Sequence, residues 1–190
     1  QVTIDIVGDG PMRDELEKMI RHHKLSAGVN LCGWVEHGQL QQRLRAASVF
    51  AFPSIREFGG GVVLEAMAVG LVPVIVDYGG PAELVTDDTG WKVPLGSRTQ
   101  IVAGFRSTLD RIVRNPSILR EMGARARSRV MTMFTWSAKA RQTLEVYRWV
   151  TARRDSKPDF GMPLHGPSTT ADDFSLVRSS STPKQDVRPS

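Results

Sequence analysis

Apolar runs alternate with amphipathic segments along the first half of the chain. Runs typical of β-strands occur at residues 2–7, 29–32, 48–52, 73–77 and 90–93. Between them, apolar residues recur every three or four positions, which is the spacing of one helix face. The spacing predicts a helix that begins at Pro11, where a missing N–H costs nothing, and shorter helical segments at 40–47, 61–69 and 81–85. Strands and helices in this alternation favour βαβ units and a mostly parallel sheet.

The pattern changes after Ser97, beyond which only helices are predicted, at residues 101–113, 117–133 and 137–151. Residues 155–190 contain seven Ser, five Pro and two Gly but only two aromatic residues. Such a segment cannot bury enough apolar surface to offset the entropy that it would lose on ordering. The sequence therefore predicts a folded part at residues 1–154 and a disordered Ser/Pro-rich tail at residues 155–190.

Composition excludes several classes of protein. The 190 residues are 41% hydrophobic and 24% charged, as in globular proteins, and a chain of this size can fold without disulfides or a metal. The single cysteine, Cys32, excludes an internal disulfide and a cysteine-rich zinc site, and we expect it in the core. No apolar run approaches the roughly 18 residues of a membrane span. The four histidines show no spacing typical of metal ligands.

The formal net charge of +5 is unevenly distributed along the chain. Residues 98–154 carry thirteen Lys/Arg against three Asp/Glu. The basic side chains of this stretch, among them Arg120, Arg125, Arg127 and Arg129, suit either a solvated helix face or a peripheral contact with phospholipid headgroups. No aromatic-rich basic groove accompanies them, so we expect no nucleic-acid partner.

The segment that carries most chemistry is 53–68, with the sequence Pro-Ser-Ile-Arg-Glu-Phe-Gly-Gly-Gly-Val-Val-Leu-Glu-Ala-Met-Ala. Glu57 lies in the loop after a predicted strand, three glycines follow at 59–61, and Glu65 lies about one turn into the next helix. Glycines at a helix start leave backbone N–H groups open to an anion. Carboxylates accept paired hydrogen bonds from the vicinal hydroxyls of a ribose or a sugar ring. Because ligands of open α/β sheets bind at the carboxyl ends of strands, the pattern predicts a ligand that is part anion and part polyol.

A second glycine motif, Gly8-x-Gly10, follows the first predicted strand. A dinucleotide-binding fingerprint requires a third glycine at position 13, where this chain has Arg13. The chain also contains no Gly-Lys-Ser/Thr sequence, so it has no P-loop. An NAD site and a P-loop nucleotide site are therefore disfavoured.

Several motifs together resemble the nucleotide-binding half of GT-B glycosyltransferases, in particular the retaining group 1 type (glycosyltransferase family 4). The resemblance covers residues 1 to about 150, and its motifs are Ile6-Val7-Gly8-Asp9-Gly10-Pro11, Leu31-Cys32-Gly33-Trp34-Val35, Phe52-Pro53-Ser54, Glu65-Ala66-Met67-Ala68-Val69-Gly70, Gly79-Gly80-Pro81 and Thr89-Gly90-Trp91. It implies the C-terminal domain of a GT-B fold, a Rossmann-like doubly wound parallel sheet followed by C-terminal helices. It also implies that the family's first strand and helix of this domain, and the whole acceptor-binding domain, would precede Gln1.

The resemblance assigns roles to the residues of the segment 53–68. The catalytic residue is Glu57, which contacts the hydroxyls of the donor sugar, and Glu65 holds the hydroxyls of the ribose. The remaining donor-binding positions face the pyrophosphate and the sugar mainly through backbone: Gly59, Gly60, Gly61 and Val62. In the family a glycine usually follows the first glutamate directly and an aromatic residue comes next, whereas here Phe58 precedes the first glycine.

Four further residues, on two other sides of the ligand, are assigned by the same resemblance. The turn Gly33-Trp34-Val35 lies where the family holds the nucleobase, so Trp34 and Val35 are placed on the nucleobase side. The indole of Trp34 suits either base stacking or an apolar plug at the end of a strand. Gly8 and Gly10 are placed on the phosphate side.

The implied activity is transfer of a hexosyl group from a nucleoside-diphosphate sugar to an acceptor hydroxyl, with retention of the anomeric configuration. The departing phosphate oxygen takes the acceptor's proton, so catalysis rests on electrostatic stabilisation of the leaving diphosphate. The chain contains no Asp-x-Asp, and we expect no metal and no further cofactor. The implied location is cytoplasmic, with peripheral contact at the inner face of the membrane left open.

The part of the family that would precede Gln1 carries an Arg and a Lys that hold the diphosphate. We therefore expect these 190 residues alone to bind nucleotide weakly and to be inactive in transfer. Two alternatives remain open: a non-catalytic nucleotide- or sugar-binding module, and a nucleotide-sugar epimerase of the same fold.

Overall fold

A computed structural model describes residues 2–161. Its elements are β1 (Ile4–Val7), α1 (Arg13–His22), β2 (Val29–Gly33), α2 (His37–Ala46), β3 (Val49–Phe52), α3 (Gly61–Ala68), β4 (Val72–Asp77), α4 (Gly79–Leu84), β5 (Trp91–Pro94), α5 (Arg98–Arg114), α6 (Ile118–Met133) and α7 (Trp136–Val150). The predicted alternation of strands and helices, and the change to helices alone after Ser97, are confirmed. From residue 162 onward, the predicted tail lies outside the described residues.

The strands pair in parallel throughout and are divided between two sheets. β1 pairs with β2 in one sheet, and β4 lies between β3 and β5 in the other. The predicted parallel direction is confirmed. The division itself could not be predicted, because a strand's periodicity does not identify the neighbour with which it pairs.

β4 lies at the centre of the core, and every residue from Val72 to Val76 is buried. Since successive residues of a strand face opposite sides of a sheet, β4 contributes to two apolar clusters. Val74 and Val76 pack against α5 on one side, whereas Ile75 packs against α3, α4 and α6 on the other. Helices on both sides of this sheet confirm the predicted doubly wound arrangement.

The unit formed by β1, α1 and β2 is far less buried than this core. No residue of α1 is buried, and only one residue of β1, Ile6, is even half-buried. The prediction that α1 begins at Pro11 is wrong by two residues, because the N–H of Arg13 bonds to the carbonyl of Gly10 at 3.1 Å and closes a turn first. Cys32, expected in the core, is half-buried, and its Sγ accepts a hydrogen bond of 3.4 Å from Arg43 of α2.

Two arginines of the predicted basic stretch hold α6 against the segment that follows β4. Arg129 donates to the carbonyl of Leu84 at 2.9 Å, and Arg125 donates to the carbonyl of Asp88 at 2.8 Å. These bonds fix the position of α4 and of the turn after it. None of the helices in the described part of the chain has the length and apolar character that a membrane crossing requires.

Candidate functional site

The segment singled out by the sequence forms a tight loop between the end of β3 and the start of α3. The carboxylate of Glu57 turns back onto this loop, and its Oε1 accepts hydrogen bonds from the N–H of Gly59 at 3.2 Å and from the N–H of Gly60 at 3.0 Å. Gly60 is the residue immediately before α3 and has a left-handed backbone with φ of 67°. A residue with a Cβ adopts this backbone only with strain, so the loop requires glycine at this position.

The first turn of α4 lies directly beneath the loop and explains the motif Gly79-Gly80-Pro81. A Cβ at Gly80 would overlap the carbonyl oxygen of Phe58, and a Cβ at Gly79 would lie 2.9 Å from the carbonyl oxygen of Glu57. Gly60 also packs closely, because a Cβ there would lie 3.0 Å from a methyl carbon of Leu84. The loop therefore packs against the backbone of Gly79 and Gly80 and against the side chain of Leu84.

The amino end of α3 is open to solvent beside this loop. Gly61 is exposed, and a Cβ built on it would meet no atom within 4 Å. Within residues 2–161, no acceptor bonds to the backbone N–H of Gly61 or of Val62. Two free N–H groups at the positive end of a helix dipole attract an anion such as a phosphate.

Glu65 lies one turn further along α3, and its side chain is exposed. Its carboxylate has no hydrogen-bond or salt-bridge partner among the described residues, so it is free to accept from a ligand. Glu57 is half-buried, and among the described residues only its Oε1 is hydrogen-bonded. Phe58, which departs from the family's usual order, is 97% exposed and adds an unshielded ring to the same surface.

A second group of predicted residues lies at the carboxyl ends of β1 and β2. The N–H of Gly8 donates to the carbonyl of Gly33 at 2.9 Å, which joins the phosphate-side and nucleobase-side segments of the prediction. Gly10 uses its N–H within its own turn, bonding to Asp9 Oδ1 at 2.8 Å. Trp34 is 79% exposed. The interpretation of its indole as an apolar plug is therefore wrong, while base stacking stays a prediction.

Sequence reasoning missed two contributions to these surfaces. Arg13 interrupts the glycine motif in the sequence, and in the fold its Nη1 lies 3.4 Å from the Cβ position of Gly33. It brings a cation to the ends of β1 and β2, and it also pairs with Glu17 at 3.3 Å. The motif at 79–81 does not by itself predict that Gly80 lies in contact with the loop of Glu57. The position of Gly80, at the start of a helix that follows a strand, is the feature of the sequence that indicates a close backbone contact.

Two open cavities, of about 490 and 510 Å³, lie beside α5 and not at the loop of Glu57. They share Ser107 and Arg111, and the Arg111 guanidinium lies 5.2 Å from the centre of the Trp91 ring. A cation near the carboxyl end of a helix is favourable without any ligand. The arrangement at Arg111 is thus explained by the fold, and the loop of Glu57 carries the stronger case for a ligand.

Comparison with known proteins supports a family assignment. The sequence pattern of the family described as glycosyl transferases group 1 matches residues 1–129. An alpha-maltose-1-phosphate synthase from Mycobacterium tuberculosis is 38% identical over 118 residues, which are 60% of this chain and 30% of that protein. A D-inositol 3-phosphate glycosyltransferase from Kineococcus radiotolerans is 36% identical over 144 residues, 71% of this chain and 32% of that protein. The chain thus spans about three tenths of the length of these curated relatives.

Solved structures agree with the assignment. A sucrose-phosphate synthase from Thermosynechococcus elongatus matches with a TM-score of 0.62 and 28% identity, over 79% of this chain and 39% of that one. Anabaena HepE, solved in complex with UDP and glucose, matches with a TM-score of 0.63 and 24% identity, over 77% of this chain and 40% of that one. The second likeness shows the fold alone. This chain belongs to the group 1 glycosyltransferases and has the α/β fold of the GT-B glycosyltransferases.

Proposed function

We propose that this chain is the donor-binding half of a retaining hexosyltransferase, which transfers a sugar from a nucleoside-diphosphate sugar to an acceptor hydroxyl. The observation that carries the proposal is the open amino end of α3, with free N–H groups at Gly61 and Val62 and with Glu57 and Glu65 on either side in sequence. Free amides suit the diphosphate, and carboxylates suit the hydroxyls of ribose and sugar. The complex of HepE with UDP and glucose supports a donor of this class.

The chemistry follows from what these groups can stabilise. The bond between the sugar's anomeric carbon and the diphosphate oxygen breaks, and a bond from the acceptor oxygen forms on the same face. The acceptor's proton passes to the departing phosphate oxygen. The α3 amides stabilise the negative charge that develops on the diphosphate, and Glu57 positions the sugar through its hydroxyls. We propose that no metal takes part.

We also propose that the 190 residues alone bind nucleotide weakly and do not catalyse transfer. A helix amino end contributes only about 0.3–1 kcal/mol to binding of an anion at an exposed site. Each charge-assisted hydrogen bond from a cation would add about 1.5–3 kcal/mol, and the resemblance places those cations before Gln1. If the chain instead belongs to a non-catalytic binding module, the complete protein should bind the same ligand but should transfer no sugar.

Calorimetric titration of UDP and of GDP in the presence of EDTA tests the proposed function. Wild type should bind one of the two nucleotides in preference to the other. Glu65→Ala should weaken that binding about tenfold or more, since hydrogen bonds to a charged group contribute about 1.5–3 kcal/mol each. Glu121→Ala is the matched control, because Glu121 is a similarly exposed helical glutamate on α6. Equal binding by wild type and Glu65→Ala would contradict the ribose role, and binding that requires a metal would contradict the metal-free mechanism.

A cytoplasmic location with peripheral membrane contact belongs to the same proposal. Arg125 and Arg129 are engaged with backbone carbonyls, so the contact would rest on the exposed Arg120 and Arg127 of α6. Pelleting with anionic liposomes at low salt, lost at high salt, is the expected result. Absence of pelleting at low salt would exclude this contact.

A further inference from the structure

Glu57 already fills part of the site at which the donor is proposed to bind. One oxygen of its carboxylate accepts from both the Gly59 and the Gly60 N–H groups, at 3.2 and 3.0 Å. An N–H group that donates fully to Glu57 is not available to a phosphate or a sugar oxygen. Within residues 2–161, the amides of Gly61 and Val62 are therefore free, whereas those of Gly59 and Gly60 are occupied by the carboxylate of Glu57.

The occupied amides have the character of an anion site. Successive backbone N–H groups that converge beside a left-handed residue form a concavity that binds anions, and Gly60 has the left-handed backbone with φ of 67°. The dipole of α3 adds positive potential at the same place. The same backbone N–H groups can therefore bind either of two anions, the carboxylate of Glu57 or a diphosphate.

We propose that Glu57 is an internal anion that occupies part of the donor site, and that the diphosphate of the donor displaces it. This inference rests on the proposed function. Displacement releases the carboxylate toward the sugar, whose hydroxyls then replace the two lost amide bonds. A bare diphosphate displaces the carboxylate without offering sugar hydroxyls in return. Glu57 therefore favours a complete donor over the nucleoside diphosphate and assists release of that product after transfer.

Titration of UDP and of inorganic pyrophosphate at low ionic strength tests the proposal. Glu57→Gln keeps the size of the side chain but weakens its hold on the amides, because a neutral acceptor forms bonds about half as strong as a carboxylate does. It should bind both probes about 2- to 10-fold more tightly than wild type, the range expected from one ordinary hydrogen bond. Glu121→Gln, which makes the same change of charge on the exposed face of α6, should bind as wild type does.

A second measurement detects displacement of the Glu57 carboxylate without relying on affinity. In the ¹H–¹⁵N spectrum, the Gly59 and Gly60 amide protons should lie downfield in the free wild type and move upfield in Glu57→Gln. Pyrophosphate should shift both amides in each protein. Amides that do not respond to Glu57→Gln, or UDP binding by Glu57→Gln that is equal to or weaker than that of wild type, would overturn the proposal.

The outcomes separate this inference from the proposed function. Absence of binding of both UDP and GDP to every variant would contradict the proposed function, and the inference would fail with it. Binding to wild type that Glu65→Ala weakens and Glu57→Gln does not tighten would contradict only the displacement of Glu57. Tightening by Glu57→Gln and Glu121→Gln alike would show a general effect of charge and would also overturn it.

Discussion

At the scale of single residues, the glycines around the loop of Glu57 differ in what they do. Gly60 is required by its left-handed backbone, and Gly80 is required because any side chain would overlap the carbonyl of Phe58. Gly61 has neither constraint, since space around its Cβ position is open. The fold of the free protein therefore does not require glycine at position 61, whereas a ligand lying against the backbone does.

Gly61→Ala separates ligand binding from stability. The free energy of unfolding should stay within about 1 kcal/mol of wild type, because alanine favours a helix and meets no neighbour. UDP binding should be lost, because the new methyl group occupies the space next to the free amides. Chemical denaturation and calorimetric titration of the same samples measure the two effects. Unchanged UDP binding would show that no ligand approaches this backbone.

The sequence predicted the glutamates at this site but not their local contacts. The order of strand, loop, glycines and helix fixes where Glu57 and Glu65 lie, because that order is local in the chain. The contact of Gly80 with the loop joins residues about twenty positions apart and depends on how α4 packs. Likewise, the exposure of Trp34 depends on the packing around β1 and β2, which no periodicity of the sequence encodes.

At the scale of elements, α6 lies so close to the core that only glycine fits at its point of contact. Gly123 faces the carbonyl oxygen of Gly70, just before β4, and a Cβ at Gly123 would overlap that oxygen. The close approach lets Ala126 and Val130 of α6 reach the apolar cluster around Met67. Periodicity predicted the extent of α6 to within one residue, but it gave no reason for a glycine inside a helix.

Substitution of two helical glycines tests this packing. Gly123→Ala should lower the free energy of unfolding by about 1–3 kcal/mol, the usual cost of overpacking. Gly38→Ala in α2 is the control, because a Cβ there meets nothing within 4 Å, and it should be neutral or stabilise by up to about 1 kcal/mol. Urea denaturation measures both. Equal effects of the two substitutions would contradict the close contact of α6.

One carboxylate near the carboxyl end of α7 binds two arginine side chains. Glu145 bonds to Arg154 at 2.8 Å and to Arg148 at 2.6 Å. The hydrogen bond from Arg154, helped by Arg148 and opposed by desolvation, lowers the pKa of Glu145 below its ordinary value of 4.5. A lowered pKa in the folded state stabilises the protein above the ordinary pKa, and the benefit is lost as pH falls through the folded-state value.

Glu145→Gln should therefore unfold at a lower urea concentration than wild type at pH 7, and the difference should shrink as pH falls below 4.5. Urea denaturation over a pH series measures the trend. Glu121→Gln serves as control, since Glu121 is more exposed and lies 3.7 Å from its partner, Arg125. A difference between Glu145→Gln and wild type that grows in acid would contradict the assigned direction.

At the scale of the whole molecule, the division into two sheets is the main departure from a continuous Rossmann-like domain. β1 and β3 each pair with a single strand among the described residues. In the usual order 3-2-1-4-5-6 of such domains, the strand that the resemblance predicts before Gln1 would lie between these two. That strand stays a prediction. The alternation of elements predicted the fold class, whereas pairing across the chain depends on distant segments that the pattern does not connect.

Mapping UDP and GDP onto the ¹⁵N-labelled chain by NMR would show directly whether a nucleoside diphosphate binds at the loop of Glu57. We expect shifts at residues 59–65, with a second set at Trp34 and Val35, and no shifts at Trp91 and Arg111 in the cavities beside α5. The same shifts should diminish in Glu65→Ala. Shifts confined to Trp91 and Arg111, or absent from residues 59–65 at saturating UDP and at saturating GDP, would contradict binding at this loop.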